Sequence, residues 1–360
     1  MKGDRIEALS VLFTAGTAAG AVLHSGAGPV WFIDSAAGFL LFLLLAYIVL
    51  LGRNGRAALW LLWFTAGFYC FAASDTGGVF AAEEKGPLTR AALSFAAGLR
   101  DAIAGIPFEE DRTGALVRAL ITGDRSLLDR GTVEVFRKSG ASHILALSGF
   151  HLGIIYLILM KALAPLGNSP KVAAARGIFI VVLCWFYSIG TGAAPSIMRA
   201  FLFIAINETL RLLGRRRRAG TVLFAALFLQ LAVSPGVIKS VGFQLSYLAI
   251  CGIVFIYPKM ERWYPESGRP DAVRKIWKAA ALGISCQLTT APAVWIYFKS
   301  FTPYFIMTNL LAMPVTTAVM FLSVADAAWA CVGAPPGLLV ELNEKAVRTL
   351  IWILTVISEM

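Results

Sequence analysis

GDRSLLDRGTVEVFRKSGASHILALSGFHLG, residues 123–153, joins a charged, turn-rich stretch directly to an apolar helix. Its first half reads as surface: Asp124, Arg125, Asp129, Arg130, Glu134, Arg137 and Lys138 crowd together. From Ser142 onward the pattern is that of a membrane helix, predicted over 142–166. That helix opens on Ser142 and His143 and carries Ser148, Gly149 and His151 inside it. Polar groups are expensive in hydrocarbon and mark function by default, so this junction is the first candidate site.

The rest of the chain supports a membrane setting. Its 360 residues are 58% hydrophobic and only 15% charged, with mean hydropathy +0.74. A soluble domain carries about 25% charged residues. Apolar runs near the spanning length of about 20 residues recur along most of the chain. The predicted fold class is therefore all-α, a polytopic helical membrane protein with about ten or eleven membrane segments, some broken or re-entrant. The segments are expected at 6–23, 36–51, 57–73, 142–166, 172–190, 195–213, 219–233, 240–257, 276–297, 303–332 and 343–358. Segment 6–23 reads as a retained first helix, not a cleaved leader. Pro314 is expected to split 303–332 into half-helices, and Pro292 to kink the span before it. The predicted organisation is N-terminal transmembrane helices over 1–73, an outward-facing amphipathic helical segment over 74–141, and a transmembrane core over 142–360.

The net charge of +11 is explained largely by topology. Lys2 and Arg5, Arg53 and Arg56, Arg215–Arg218, and Lys259, Arg262, Arg269, Arg274 and Lys275 fall in alternate loops. Positive loops stay in the cytoplasm, which places the N-terminus there and 74–141 outside. The charge alone argues nothing about nucleic acid. Within 74–141, Leu88, Ala92, Phe95, Leu99, Ile103 and Ile106 have the spacing of an amphipathic helix lying at the interface. Thr132 is expected to cap a short helix with Glu134 in its first turn, Arg137 and Lys138 in its last, and Gly140 just beyond.

The five cysteines, at 70, 184, 251, 286 and 331, lie in apolar segments without metal or redox spacing. On one continuous helix, His143 and His151 stand about 12 Å apart along the axis, too far to share a metal. Interhelical hydrogen bonding and functional lining both remain open for them. Arg199 either snorkels to the headgroups or faces a water-filled interior. Polar residues recur on other spans, at Gln244, Gln287 and Asn309; they suit an aqueous cavity or a structural polar core equally. Ser148 lacks the preceding strand of a nucleophile elbow.

Five motifs occur together and in order: GDRS at 123–126, FRKSGASHILALSGFHLG at 136–153, GAAPSIMRA at 192–200, SPG with GFQLSYLA within 234–249, and NLLAMP at 309–314. Together they resemble the competence domain of the ComEC family over roughly 110–330. The resemblance implies an inner-membrane channel for uptake of single-stranded DNA during natural transformation. It implies a DNA path along His143, Ser148, His151, Arg199, Gln244, Gln287 and Asn309, with Arg125, Arg137 and Lys138 at an entrance. No catalytic residue, metal or cofactor is expected. The expected partners are single-stranded DNA, membrane lipid, a cytoplasmic ATPase and an outer DNA receptor, with the pore built by one chain or by a homodimer. The ATPase is expected as a separate chain because no phosphate-binding P-loop is present. The three histidines, at 24, 143 and 151, do not form the His-x-His-x-Asp-His motif of the nuclease domain that many members carry. The competing readings are a membrane-embedded hydrolase using Ser148 and a small-solute transporter on the same fold.

Overall fold

The computed structural model describes residues 2–24, 63–68, 70, 86–167, 169–264, 272–299 and 304–360. The segment predicted at 36–51, most of that at 57–73, and the loop arginines Arg53, Arg56 and Arg269 lie outside the described residues. The described chain is helical and contains no strand. In order, the helices are α1 (Lys2–His24), α2 (Pro87–Ala104), α3 (Asp111–Thr122), α4 (Arg130–Lys138), α5 (Ser142–Leu145), α6 (Gly149–Ala162), α7 (Pro170–Gly190), α8 (Pro195–Leu212), α9 (Ala219–Val233), α10 (Val241–Cys251), α11 (Tyr257–Glu261), α12 (Ala272–Phe298), α13 (Phe305–Ala330) and α14 (Gly337–Ser358).

Five stretches are long and apolar enough to cross a bilayer: Gly149–Leu166, Pro170–Gly190, Val241–Glu261, Ala272–Phe298 and Phe305–Ala330. α1 and α9 hold shorter apolar runs, Ala8–Gly20 and Ala219–Val233. The predicted segments at 195–213 and 343–358 are helical, but Arg199, Glu208 and Arg211 in α8, and Glu341, Glu344, Lys345 and Arg348 in α14, dilute their apolar windows. Among the described residues the all-helical class holds, and five helices have the length and apolar composition to span.

The chain divides into two units, residues 1–84 with 205–250 and residues 85–204 with 251–360. In the first, Phe13 of α1 meets Phe228 of α9 edge-on at 4.9 Å, and Trp63 meets Phe228 at 4.8 Å. Gly16 lets the backbone of Phe64 approach so closely that a Cβ would overlap its carbonyl. Such small-residue contacts gain dispersion energy where the hydrophobic effect between helices is absent.

In the second unit α3, α4 and α5 pack on α13 and α14. Val340, Val347, Leu350 and Leu354 form one buried stripe of α14 at helical spacing. Leu116, Val117, Leu120 and Ile121 bury most of α3 in the same core. Glu344 of α14 accepts the backbone N–H groups of Glu109 at 2.5 Å and Glu110 at 3.4 Å, which caps the start of α3 from a distant helix. The helix predicted to lie at the interface, α2, buries Ala92 and Ala96 against Gly190 of α7 and exposes Leu88 and Phe95. A Cβ at Gly190 would stand 2.6 Å from the Ala92 carbonyl oxygen.

Three local expectations are corrected. The helix predicted over 142–166 is broken: α5 ends at Leu145, Ala146 and Ser148 are extended, and α6 begins at Gly149. Conversely, Pro314 does not split its segment into half-helices: it sits inside the unbroken α13. Proline removes one backbone donor, and a packed helix tolerates that loss. The cap of α4 is Asp129, whose carboxylate accepts the Thr132 N–H at 2.6 Å; Thr132 is the recipient, not the cap. Gly140 has the left-handed φ of +77° expected just beyond the helix end.

Candidate functional site

The break at 146–148 frees backbone carbonyls that an intact helix would satisfy. Remote side chains take them up. Arg125 Nε donates to the Leu145 carbonyl at 3.0 Å, and Ser196 Oγ donates to the Leu147 carbonyl at 2.8 Å. Gly123, with φ +77°, ends α3 and makes room for the Leu147 side chain, which a Cβ there would overlap. The GDRS turn and the start of α8 thus grip the unwound segment from two directions in sequence.

Ser148 is the N-cap of α6, and His151 closes the capping box. The Ser148 N–H donates to His151 Nδ1 at 3.3 Å, and Ser148 Oγ lies 3.1 Å from the same nitrogen. This arrangement assigns the ring proton to Nε2. His151 is fully buried, and its Nε2 makes no hydrogen bond among the described residues. The ring lies within the electrostatic reach of His143, Arg125 and the Ile144 backbone.

His143 donates from Nδ1 to the Gly140 carbonyl at 3.1 Å. Its ring packs on Phe305 at 5.6 Å, one turn before Asn309 on α13. Thr308 Oγ1 donates to the Ser139 carbonyl at 2.6 Å, fastening the same turn to the first turns of α13. Arg199 is 5% exposed, so it does not snorkel outward. It donates to the Ser196 carbonyl at 3.3 Å, beside the residue that holds Leu147. Gly149 admits Ala200 of α8, whose Cβ would stand 3.2 Å from a Cβ at Gly149.

The structure therefore gathers Arg125, His143, Ser148, His151, Arg199 and Asn309 around one broken helix. The predicted residue Gln287 is not held in this network. Gln244 belongs to the unit containing 205–250 and donates to the Ile238 carbonyl at 2.9 Å. Gln287, half-buried on α12, makes no hydrogen bond among the described residues. Of the predicted entrance, Arg137 forms a two-point ion pair with Glu134 at 2.6 and 2.8 Å, and Lys138 approaches the same carboxylate at 4.0 Å. The exposed Arg137 guanidinium holds the Glu134 carboxyl below the usual range. A cleft of about 460 Å³ beside Ile106, Phe108 and Arg118 and an apolar groove of about 330 Å³ beside Arg176 are lined by none of the gathered residues.

Some polar contacts were not anticipated. Tyr187 donates to the Ile121 carbonyl at 2.6 Å, tying α7 to the end of α3. Asp326 of α13 is fully buried and accepts from Asn343 of α14 at 2.8 Å, with Ser323 beside them. An aspartate within an apolar span was the legible signal for this second cluster.

Comparison with known proteins places these features. The profile of the family described as Competence protein matches residues 120–360, from the last turn of α3 through the whole of the broken helix to the C-terminus. "ComE operon protein 3" of Bacillus subtilis (strain 168) is 28% identical over 207 residues, 58% of this chain and 25% of its own length. "Competence protein ComA" of Neisseria gonorrhoeae is 28% identical over 176 residues, 47% of this chain and 25% of its own. "Uncharacterized protein YcaI" of Escherichia coli (strain K12) is 25% identical over 214 residues, 57% of this chain and 28% of its own. The chain thus spans about a quarter of the length of these curated relatives. No solved structure matches it. Because the profile takes in more than half of the chain, including each residue gathered at the break, the chain belongs to the Competence protein family.

Proposed function

We propose that this chain is a membrane-embedded part of a DNA uptake apparatus for transformation and conducts a single strand across the bacterial inner membrane, its N-terminus in the cytoplasm. The observation that carries this reading is the broken helix at 146–148, where Arg125, His143, His151, Arg199 and Asn309 converge within the family region. Non-helical backbone at membrane depth is tolerated where it is buried in protein or lines a water-filled path. A polyanion needs such a path, with scattered donors that hold it weakly enough to let it go. The names of the two competence relatives point the same way. A cytoplasmic ATPase and an outer DNA receptor complete the proposal as partners. The protein's own role is conduction without bond-making chemistry.

The Ser148 hydrolase reading is less well served by the geometry. His151 Nδ1, the nitrogen nearest Ser148 Oγ, also accepts the Ser148 N–H and so serves the helix cap. The decisive experiment is flux of a labelled single strand into proteoliposomes holding the purified chain, beside flux of small anions and a fluorophosphonate probe for Ser148. Strand flux supports the proposal. Anion flux alone favours the small-solute transporter, and labelling of Ser148 favours the hydrolase.

A further inference from the structure

Before the break, basic side chains are matched by acids, as Arg118 is by Asp124 and Arg137 by Glu134. At the far end of α6 the balance is different. Lys161, Lys171 and Arg176 cluster around the turn into α7, and no Asp or Glu occurs between Glu134 and Glu208. Glu208 itself is held by Arg211 at 2.6 Å. Lys161 and Lys171 are exposed and make no ion pair or hydrogen bond among the described residues. Three cations place this turn on the cytoplasmic side, by the rule that placed the other basic loops. An apolar groove of about 330 Å³ opens at the same place, between the ends of two spanning stretches. Leu163, Leu166, Val172, Ala175, Arg176 and Phe179 line it. From Lys171 to Phe179 a helix rises about 12 Å, so the groove leads from the charged turn into the apolar depth of the span.

We propose that this groove binds one anionic phospholipid of the cytoplasmic leaflet, an acyl chain lying along Leu163, Leu166, Val172 and Phe179 and the headgroup phosphate held by Lys161 and Lys171. The site and the lipid match in chemistry and in order of depth: apolar wall below, uncompensated cations above. Basic pockets between membrane helices on the cytoplasmic side are where acidic headgroups settle. A zwitterionic lipid offers the same chain and phosphate but brings its own ammonium, which the lysines repel. A lipid seated here braces the ends of α6 and α7, and α6 is the helix whose start carries the break. The site lies apart from the proposed DNA path and stands or falls independently of it.

The test follows the melting temperature of the purified full chain in detergent as phosphatidylglycerol, or phosphatidylcholine with the same chains, is added. Phosphatidylglycerol should stabilise the native protein at the lower concentration. Lys161→Gln and Lys171→Gln should each raise its half-maximal concentration about fivefold and leave that of phosphatidylcholine unchanged. Lys171→Arg should keep the native value. Ala175→Trp fills the groove without touching the lysines and should weaken the effect of both lipids. The two lysines are exposed, so their variants keep the fold; should the Trp variant fail to fold, the lysine series decides alone. Equal half-maximal concentrations for the two lipids, or native values in both Gln variants, overturn the site. Glycerol phosphate carries the charge without the chain, and stabilisation by it as strong as by the lipid overturns the site as well.

Discussion

Ser196 Oγ reaches the Leu147 carbonyl across 2.8 Å, and by that contact the start of α8 holds open a helix that its own sequence would have closed. The bond spans 49 positions of the chain. It makes the geometry at Ser148 and His151 depend on a residue of another helix.

Removing that donor should therefore weaken the fold. Ser196→Ala leaves a partly buried carbonyl unsatisfied, at a cost of about 1–3 kcal/mol. Ser196→Thr keeps the hydroxyl and should restore most of it. Thermal unfolding of the purified chain in detergent measures both.

Substitution at the gathered residues should separate function from insertion. Ala at His143 or Arg199 should lower transformation about tenfold or more, as a loss of about 1.4 kcal/mol in strand stabilisation would. The protein level in membranes, read by immunoblot, should stay unchanged. Normal transformation by both variants would remove the conduit assignment.

Gly190→Ala should destabilise the packing of α2 on α7. The new Cβ meets the Ala92 carbonyl oxygen at 2.6 Å, and a backbone atom cannot swing aside as a flexible side chain would. Overpacking of this kind costs about 1–3 kcal/mol. Protease sensitivity near α2 should rise accordingly.

The GDRS turn should loosen in acid. The Ser126 side chain and its N–H, at 3.0 Å, both serve the Asp124 carboxylate, and with the Arg118 pair they hold its carboxyl down at about 2. A carboxylate depressed in the folded state stabilises above its unfolded pKa of about 4 and loses that contribution as pH falls through the folded value. Native protein should thus lose stability between about pH 4 and pH 2, whereas Asp124→Asn should lack that step and be weaker at neutral pH by about 1 kcal/mol, allowing for solvent screening. Unfolding midpoints across that pH range give the comparison.

Asp326 and Asn343 should behave as a coupled pair. Asn343→Leu strands a buried carboxylate and should cost more than the double variant with Asp326→Leu, which restores an apolar match between α13 and α14. A coupling of about 1 kcal/mol or more in the double-mutant cycle is expected.

Much of the candidate site was legible before any coordinates. His143, Ser148 and His151 stood out because polar side chains are conspicuous in an apolar run, and the motif around them carried the family. The resemblance groups Arg125 with Arg137 and Lys138 at an entrance, yet Arg137 and Lys138 are tied to Glu134, a pairing that depends on side-chain placement. Asp326, an acid within an apolar span, is equally conspicuous in sequence. Its meaning depends on Asn343, 17 positions away on the neighbouring helix.

Composition and periodicity were enough to establish helices and membrane class, because apolar surface and helical spacing are local properties of the chain; kinship came from the ordered motifs. The left-handed turn at Gly140 was readable for the same reason. Where the helix breaks was decided by tertiary structure alone. An intact helix satisfies its carbonyls from within, so a break survives only where distant groups supply the missing donors. Here they come from Arg125, 20 positions before Leu145, and from Ser196, far beyond Leu147. No local reading of 142–166 contains either, which is why the prolines, the residues most suspect by sequence, lie in unbroken helices while SHILALSG opens.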